Sequence, residues 1–201
     1  MTSGTDLALH LCPTGVHGRC GDRTTEAVLV PTTGPHGWAE VAPDALWRAV
    51  LTVARDLGPA ADTLLLSADL GAVALWDRET LGSPRPVVAA GRRTAVVEVL
   101  TWVREHEPNT WALVADGRYA VGGLASYVLA RATLGTWHVS DLGDAEATGL
   151  LAPDGAWDAD LCARIGLPLD ALPQVSTGTA AGARTEPRGF GGLDLRVHLG
   201  G

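Results

Sequence analysis

The sequence predicts an α/β fold, because strand-like and helix-like segments alternate along the chain. Short apolar or alternating runs are followed by longer segments in which apolar residues recur every three or four positions. The chain has 201 residues, of which 46% are hydrophobic and 19% are charged. That length and composition suit one domain, or one and a fraction, with a substantial buried core.

The N-terminal part predicts two strands followed by a helix. Residues 7–11 alternate like a strand and residues 26–30 form a second β-like run. The glycine-rich segment 13–22 is expected to form the turn between them. Pro43-Asp44 then opens a helix that Gly58-Pro59 ends. Its apolar residues follow helical spacing: Leu46, Val50, Val53 and Leu57.

The middle of the chain predicts three more strands and a second long helix. Residues 63–66 are typical of a central strand, and residues 72–76 and 87–89 form a pair around the turn Gly82-Ser83-Pro84. A helix is expected over residues 93–105. The residues on its inner side are Val96, Val99, Leu100 and Val103.

The C-terminal part predicts two further helices and a tail. One helix covers residues 124–134 and ends at Gly135 as a left-handed residue, and a short one runs from the N-cap Asp158 to Ile165. Residues 176–183 are typical of a flexible linker, and residues 193–199 alternate like an edge strand. We therefore expect a domain over residues 1–175 and a tail over residues 176–201.

The charge and cysteine content narrow the possible partners and compartments. The formal net charge is −8 and no basic run occurs, which argues against nucleic acid as a partner. The early apolar stretch 7–12 has no basic flank and is too short for a signal segment or a membrane span, so we expect a cytoplasmic protein. Three cysteines are too few for a disulfide framework and fit a reducing compartment.

Several motifs occur in an order that is more specific than any one of them alone. In chain order they are Gly37-Trp38-Ala39-Glu40, Pro43-Asp44-Ala45-Leu46-Trp47, Leu75-Trp76-Asp77-Arg78, Arg92-Arg93-Thr94-Ala95, Trp137-His138-Val139-Ser140-Asp141, Trp157-Asp158, and Leu167-Pro168 with Leu172-Pro173. Over residues 7–175 this series resembles the N-terminal lobe of the FGGY carbohydrate kinases, which include glycerol kinase and xylulokinase. The resemblance implies the ribonuclease-H-like fold of actin, hexokinase and the sugar kinases, a mixed sheet flanked by helices.

The phosphate-binding loop of that family is altered here. In the family, an Asp-x-Gly-Thr-Thr/Ser loop after the first strand faces the nucleotide phosphates, and residues 10–15 occupy that register. His10 replaces the aspartate and Cys12 replaces the first glycine. Pro13 removes a backbone donor, so a cradle of amides around a phosphate is not expected. We expect no bound cofactor.

The family's substrate positions are also replaced. Asp69-Leu70-Gly71 stands where glycerol kinases have Gln-Arg-Glu, and Ala89-Ala90-Gly91 stands where the family has Trp-Gln-Asp. The resemblance assigns the catalytic aspartate and most of the adenine site to a second lobe that these residues do not include. We therefore expect no independent phosphotransferase activity, and a small, apolar ligand in place of a polyol. The expected ligand-binding residues are Thr14, Leu70, Gly71, Ala89, Ala90, Arg92 and Arg93.

His10 and Asp69 are the candidate catalytic pair. Asp69 is expected just beyond the carboxyl end of a central strand, where ligands bind in open α/β sheets. His10 on the first strand is expected near it, and together they suit general acid and base chemistry. The alternative is that Asp69 caps a turn and His10 is a hydrogen-bonded buried histidine. Arg92 and Arg93 either attract an anionic ligand to this edge or are solvated or paired with Glu98 or Asp77.

Two other groups of side chains have a structural alternative. His10, Cys12, His17 and Cys20 are residue types that bind zinc, but their spacing matches no standard zinc motif, and we expect no metal. His138 and Asp141 are close together in a strand-like segment, and structural hydrogen bonding is expected of them.

Three functions remain open at the level of the sequence. The first is a protein that binds a small molecule or a partner chain through the former active-site cleft. The second is an enzyme in which His10 and Asp69 perform new acid–base chemistry, such as a cyclisation or isomerisation. The third is a kinase completed by a separate second lobe. Apolar surface that this lobe would cover, including one or two of seven tryptophans, also predicts self-association.

Overall fold

The computed structural model describes residues 5–34, 37–89, 93–176 and 183–200, with the side chains of residues 93–95 left out. Its strands are β1 (Asp6–Cys12), β2 (Gly15–Cys20), β3 (Arg23–Val28), β4 (Thr32–Thr33), β5 (Ala39–Val41), β6 (Thr63–Ala68), β7 (Ala72–Asp77), β8 (Val87–Ala89), β9 (Tyr119–Gly122), β10 (Val139–Asp141), β11 (Gln174–Ser176) and β12 (Arg196–Leu199). Its α-helices are α1 (Pro43–Leu57), α2 (Arg93–His106), α3 (Pro108–Ala115), α4 (Leu124–Ala132), α5 (Leu142–Ala147) and α6 (Ala159–Ile165).

A five-stranded mixed sheet carries the ribonuclease-H-like topology. Its order is β12, β6, β1, β2, β3, in which β2 runs antiparallel to both neighbours while β6 is parallel to β1 and to β12. The parallel pairing brings the carboxyl ends of β1 and β6 to one edge of the sheet. The predicted fold class is therefore confirmed.

A second sheet and a short strand pair complete the β-structure. β4, β5, β8, β7 and β9 pair antiparallel in that order, and β10 pairs with β11 in parallel. The predicted pairing of β7 with β8 is confirmed. Tail residues 183–200 contribute β12 at the edge of the first sheet, and the expected linker lies mostly in residues 177–182, outside the described residues.

Helix α1 covers one face of the first sheet. Pro43 at the helix start presets the first turn, and the residues at helical spacing face β2 and β3. Alternate residues of β1 meet them, so Leu7, Leu9 and Leu11 are almost fully buried. A second core lies against the other sheet, where α2 contributes the four predicted residues Val96, Val99, Leu100 and Val103.

The prediction of a turn over residues 13–22 is wrong, because most of this segment is strand β2. Its glycines serve close packing: a Cβ on Gly18 would collide with Val53 of α1, and a Cβ on Gly15 would lie 2.9 Å from the Ala27 carbonyl oxygen. The turns are limited to residues 13–14 and 21–22, and Gly21 in the second has a φ of +58°. Helices α3 and α5 and strands β4, β5, β9 and β11 were not predicted, because they are short and weakly periodic.

The predicted helix ends agree with the structure at one site and differ slightly at another. Asp158 accepts from the Leu161 N–H, as expected for the N-cap of α6, and a left-handed Gly166 follows the helix. Helix α4 ends at Ala132 rather than residue 134, and both Leu134 and Gly135 have positive φ. No helix in the described ranges is both long and apolar enough to cross a membrane.

Candidate functional site

His10 and Asp69 are in contact at the edge where β1 and β6 end. The His10 Nε2 lies 3.2 Å from the Asp69 Oδ1, and the His10 Nδ1 lies 3.1 Å from the Ser67 Oγ. The parallel register places His10 opposite Ser67, and the Asp69 N–H donates to the Leu11 carbonyl oxygen. The side chains of His10 and Asp69 are 46% and 53% exposed, so His10 is not a buried structural histidine.

A cleft of about 320 Å³ opens beside Asp69. It is lined by Pro13, Ala39, Asp69, Leu70, Ala72, Ala89 and Leu124. Three of the expected residues, Asp69, Leu70 and Ala89, are thus brought together. Asp69 is the charged member of this lining, while the other side chains carry no polar atom. The cleft is large enough for a small organic molecule.

The turn between β1 and β2 uses its polar groups internally. The Cys12 thiol donates to the Gly15 carbonyl oxygen at 3.3 Å and lies 3.4 Å from the Thr14 Oγ1. The Leu29 N–H donates to the Thr14 carbonyl oxygen. Thr14 is therefore an exposed turn residue beside Cys12, whereas Pro13 reaches the cleft.

Of the remaining predicted ligand residues, Gly71 has a structural role and three lie wholly or partly outside the described residues. Gly71 makes the turn between β6 and β7 with a φ of +80°, a conformation that favours glycine. Ala90 and Arg92 lie outside the described residues, as does the side chain of Arg93. Asp77, considered as a partner for these arginines, is instead bound by Arg118, whose Nε lies 2.9 Å from the Asp77 Oδ2.

A four-ligand zinc site at the first hairpin is ruled out by strand alternation. Cys20 pairs with Leu7 on the face that packs against α1 and is 6% exposed. His10, Cys12 and His17 project from the opposite face. No group of three or more histidine, cysteine, aspartate or glutamate side chains is placed to hold a metal ion within the part of the chain that the structure describes.

The open face of the first sheet carries a polar row that the sequence did not reveal. Ser67, His10, His17 and Glu26 are neighbours on β6, β1, β2 and β3 in register. A groove of about 580 Å³ runs over this face, with His10, His17, Arg19 and Glu26 in its lining. Alternation within each strand indicates one polar face, but only the pairing register between the strands aligns these four residues.

His138 and Asp141 have structural roles. His138 packs edge-on against Trp76 at 5.1 Å between ring centroids, and burial lowers its pKa to about 4. Asp141 is the N-cap of α5 and accepts from the Asp144 N–H. Burial, together with the nearby Asp141, raises the pKa of Asp144 to about 6.

The sequence is similar to that of glycerol kinases. The enzymes of Bradyrhizobium diazoefficiens and Methylobacterium nodulans are 27% and 28% identical over alignments that cover 78% and 77% of this chain. The chain spans only 38% of the length of each relative. No protein-family model matches it.

Solved structures share the fold over nearly the whole chain. Xylulose kinase from Rhodospirillum rubrum has a TM-score of 0.81 at 18% identity, covering 96% of this chain and 48% of that one. Glycerol kinase from Plasmodium falciparum, solved with ADP, has a TM-score of 0.80 at 13% identity, covering 97% and 48%. The resemblance to the N-terminal lobe of the FGGY carbohydrate kinases is thereby confirmed.

Proposed function

We propose that this chain, which has the fold of a sugar-kinase N-terminal lobe, binds a small and largely apolar molecule in the cleft beside Asp69. The observation that carries the proposal is the lining of that cleft, in which one carboxylate stands among alanine, leucine and proline side chains. Such a surface suits an apolar body with a single cationic or hydrogen-bond-donating group. A polyol needs several paired donors and acceptors, which these side chains do not supply.

The altered loop argues against phosphoryl transfer by this chain alone. Phosphoryl transfer depends on positioning and on neutralising the charge of the phosphates. Here Pro13 has no N–H, and Cys12 and Thr14 contact each other in a tight turn. We therefore expect no turnover of ATP with glycerol or xylulose by these 201 residues.

A second candidate function is acid–base catalysis in the same place, and the contact between His10 and Asp69 favours it. A carboxylate on the Nε2 fixes the orientation of the ring, and Ser67 contacts the other nitrogen. A histidine held in this way can accept or donate a proton beside Asp69, the carboxylate that lines the cleft. This activity would act on the same class of ligand.

Calorimetry with a matched pair of probes tests the binding proposal. We expect 2-phenylethylamine to bind more tightly than 2-phenylethanol, because only the amine offers a cation to Asp69. Replacing Asp69 with Asn should weaken amine binding by about tenfold or more, the effect of losing a charged hydrogen bond. Ala89→Trp should abolish binding of both probes by filling the cleft, whereas Asp116→Asn, at an exposed carboxylate outside the cleft lining, should change neither.

Two results would contradict the proposal. One is that each probe binds Ala89→Trp as tightly as it binds the wild-type chain. The other is binding of ATP with magnesium followed by phosphorylation of glycerol or xylulose. Binding of ATP with turnover only after a second polypeptide is added would favour a kinase completed by a separate lobe.

A further inference from the structure

Cys12, His17 and Glu26 form a second constellation on the open face of the first sheet, separate from the cleft lining. The Cys12 Sγ lies 3.6 Å from the His17 Nε2, and the His17 Nδ1 lies 3.3 Å from the Glu26 Oε2. Cys12 is partly exposed, while His17 and Glu26 are 52% and 63% exposed. The three groups therefore form a chain of contacts that a reactant can reach from solvent.

The order of the contacts gives each group a chemical role. A carboxylate can only accept, so the His17 Nδ1 donates to Glu26, and in the neutral ring the Nε2 is an acceptor. The thiol proton that faces the Gly15 carbonyl oxygen at 3.3 Å can turn to this Nε2, which lies 3.6 Å from the sulfur. A thiol becomes a nucleophile when a neighbouring base takes its proton. The Thr14 hydroxyl, 3.4 Å from the sulfur, can donate to the thiolate that results.

Strand register holds this arrangement. His17 is directly opposite Glu26 in the β2–β3 pair, and Cys12 is opposite Gly15, two residues before His17 on the same face. Glycine is needed at position 15, because a Cβ there would lie 2.9 Å from the Ala27 carbonyl oxygen. The alignment thus comes from the backbone of the hairpin.

We propose that Cys12 is a nucleophilic thiol, activated by His17 and oriented through Glu26, that adds to small α,β-unsaturated carbonyl compounds. Acyl transfer is a poorer fit, because it needs N–H donors near the attacked carbonyl and the residue after Cys12 is Pro13. The neighbouring groove begins at His17, with Arg19 and Thr24 farther along its lining, and Cys12 lies outside that lining.

The reaction is an addition in which every atom is retained. The His17 Nε2 takes the thiol proton, and the sulfur forms a bond to the β-carbon while the π bond of the alkene breaks. The electron pair moves to the α-carbon, which receives the proton back from the imidazolium. The product is a thioether, and no oxidant, leaving group or cofactor is required.

Alkylation with acrylamide, followed by mass spectrometry of peptides from the intact chain, tests this site. Cys20 and Cys162 are buried, at 6% and 1% exposed, and serve as internal controls. We expect Cys12 to react about tenfold faster at neutral pH than the thiol of N-acetylcysteine. His17→Ala should remove this advantage, and Glu26→Gln should reduce it by a smaller factor.

Chemical rescue separates activation from a structural effect. Imidazole added to His17→Ala should restore rapid alkylation of Cys12 in a concentration-dependent way, but should not accelerate the wild-type chain. His106→Gln and Glu146→Gln, which lie away from the hairpin, should react like wild type. The proposal would be overturned if Cys12 were alkylated as fast in His17→Ala as in wild type. It would also be overturned if the wild-type Cys12 reacted no faster than N-acetylcysteine.

Discussion

Two buried aspartates show how the surroundings of a residue decide its chemistry. Asp77 accepts hydrogen bonds from the Thr80 and Glu79 N–H groups and from Arg118, and these contacts lower its pKa to about 2. Burial raises the pKa of Asp144, and the nearby Asp141 carboxylate raises it further. The Ser140 hydroxyl, at 3.4 Å, lowers this pKa by a smaller amount. The surroundings therefore stabilise the ionised form of Asp77 and destabilise the ionised form of Asp144.

Asp144 should make the protein less stable as the pH rises through about 6. Its folded-state pKa of about 6 exceeds the usual 3.8, so its contribution to stability is fully present below pH 4 and is lost as the pH rises. Asp144→Asn should remove this loss. Between pH 4 and pH 7, the variant should lose about 2 kcal/mol less of its free energy of unfolding than wild type does. Urea unfolding at the two pH values measures this difference.

Asp77→Asn is the control of opposite sign. Because its folded-state pKa is lowered, Asp77 stabilises the fold above pH 4, and this contribution disappears as the pH falls towards 2. The variant should therefore be less stable than wild type at pH 7. An identical pH dependence of Asp144→Asn and wild type would contradict the role given to Asp144.

At the scale of elements, the contact between β2 and α1 depends on a glycine inside a strand. Gly18 leaves room for Val53 and Leu57 of α1 to approach the sheet. Glycine weakens an isolated strand, and this hindered its prediction from the sequence. The close packing of the helix offsets that local loss by burying the apolar faces of both elements.

Gly18→Ala should destabilise the fold, because the new Cβ would collide with Val53 and lie 3.0 Å from the Leu57 Cδ1. We expect a loss of about 1–3 kcal/mol in the free energy of unfolding, typical of overpacking. Gly82→Ala is the matched control, since its Cβ would approach only the Thr80 Oγ1, at 3.5 Å. Equal stability of the two variants in urea unfolding would show that α1 is not packed this closely.

At the scale of the whole molecule, the first sheet is covered by α1 on one face and is open on the other. Strand β3 forms one edge of this sheet, and Val28 and Val30 near that edge are 75% and 88% exposed. An edge strand with exposed apolar residues is a surface that commonly pairs with another chain. Self-association therefore remains a prediction, and we expect the contact between chains at this edge.

Sedimentation velocity over about 1 to 100 µM tests self-association, a range suited to a weak to moderate dimer. We expect the wild-type sedimentation coefficient to rise with concentration. The double substitution Val28→Lys and Val30→Lys should abolish the rise, because charge blocks edge pairing. Thr24→Lys, on the same strand, should have a weaker effect. A wild-type monomer across the whole range would refute this expectation.

The sequence by itself determined the elements with strong local patterns, and it predicted that His10 could lie near Asp69. Periodic apolar residues predict α1 and α2, and the position of Asp69 just after a predicted strand favours a ligand-facing role. The ordered motifs added the kinase-lobe topology. The tertiary structure alone decided the register of β1, β2 and β3, which aligns Cys12, His17 and Glu26. Register depends on pairing between strands and on packing against α1, and neither is a local property of the chain.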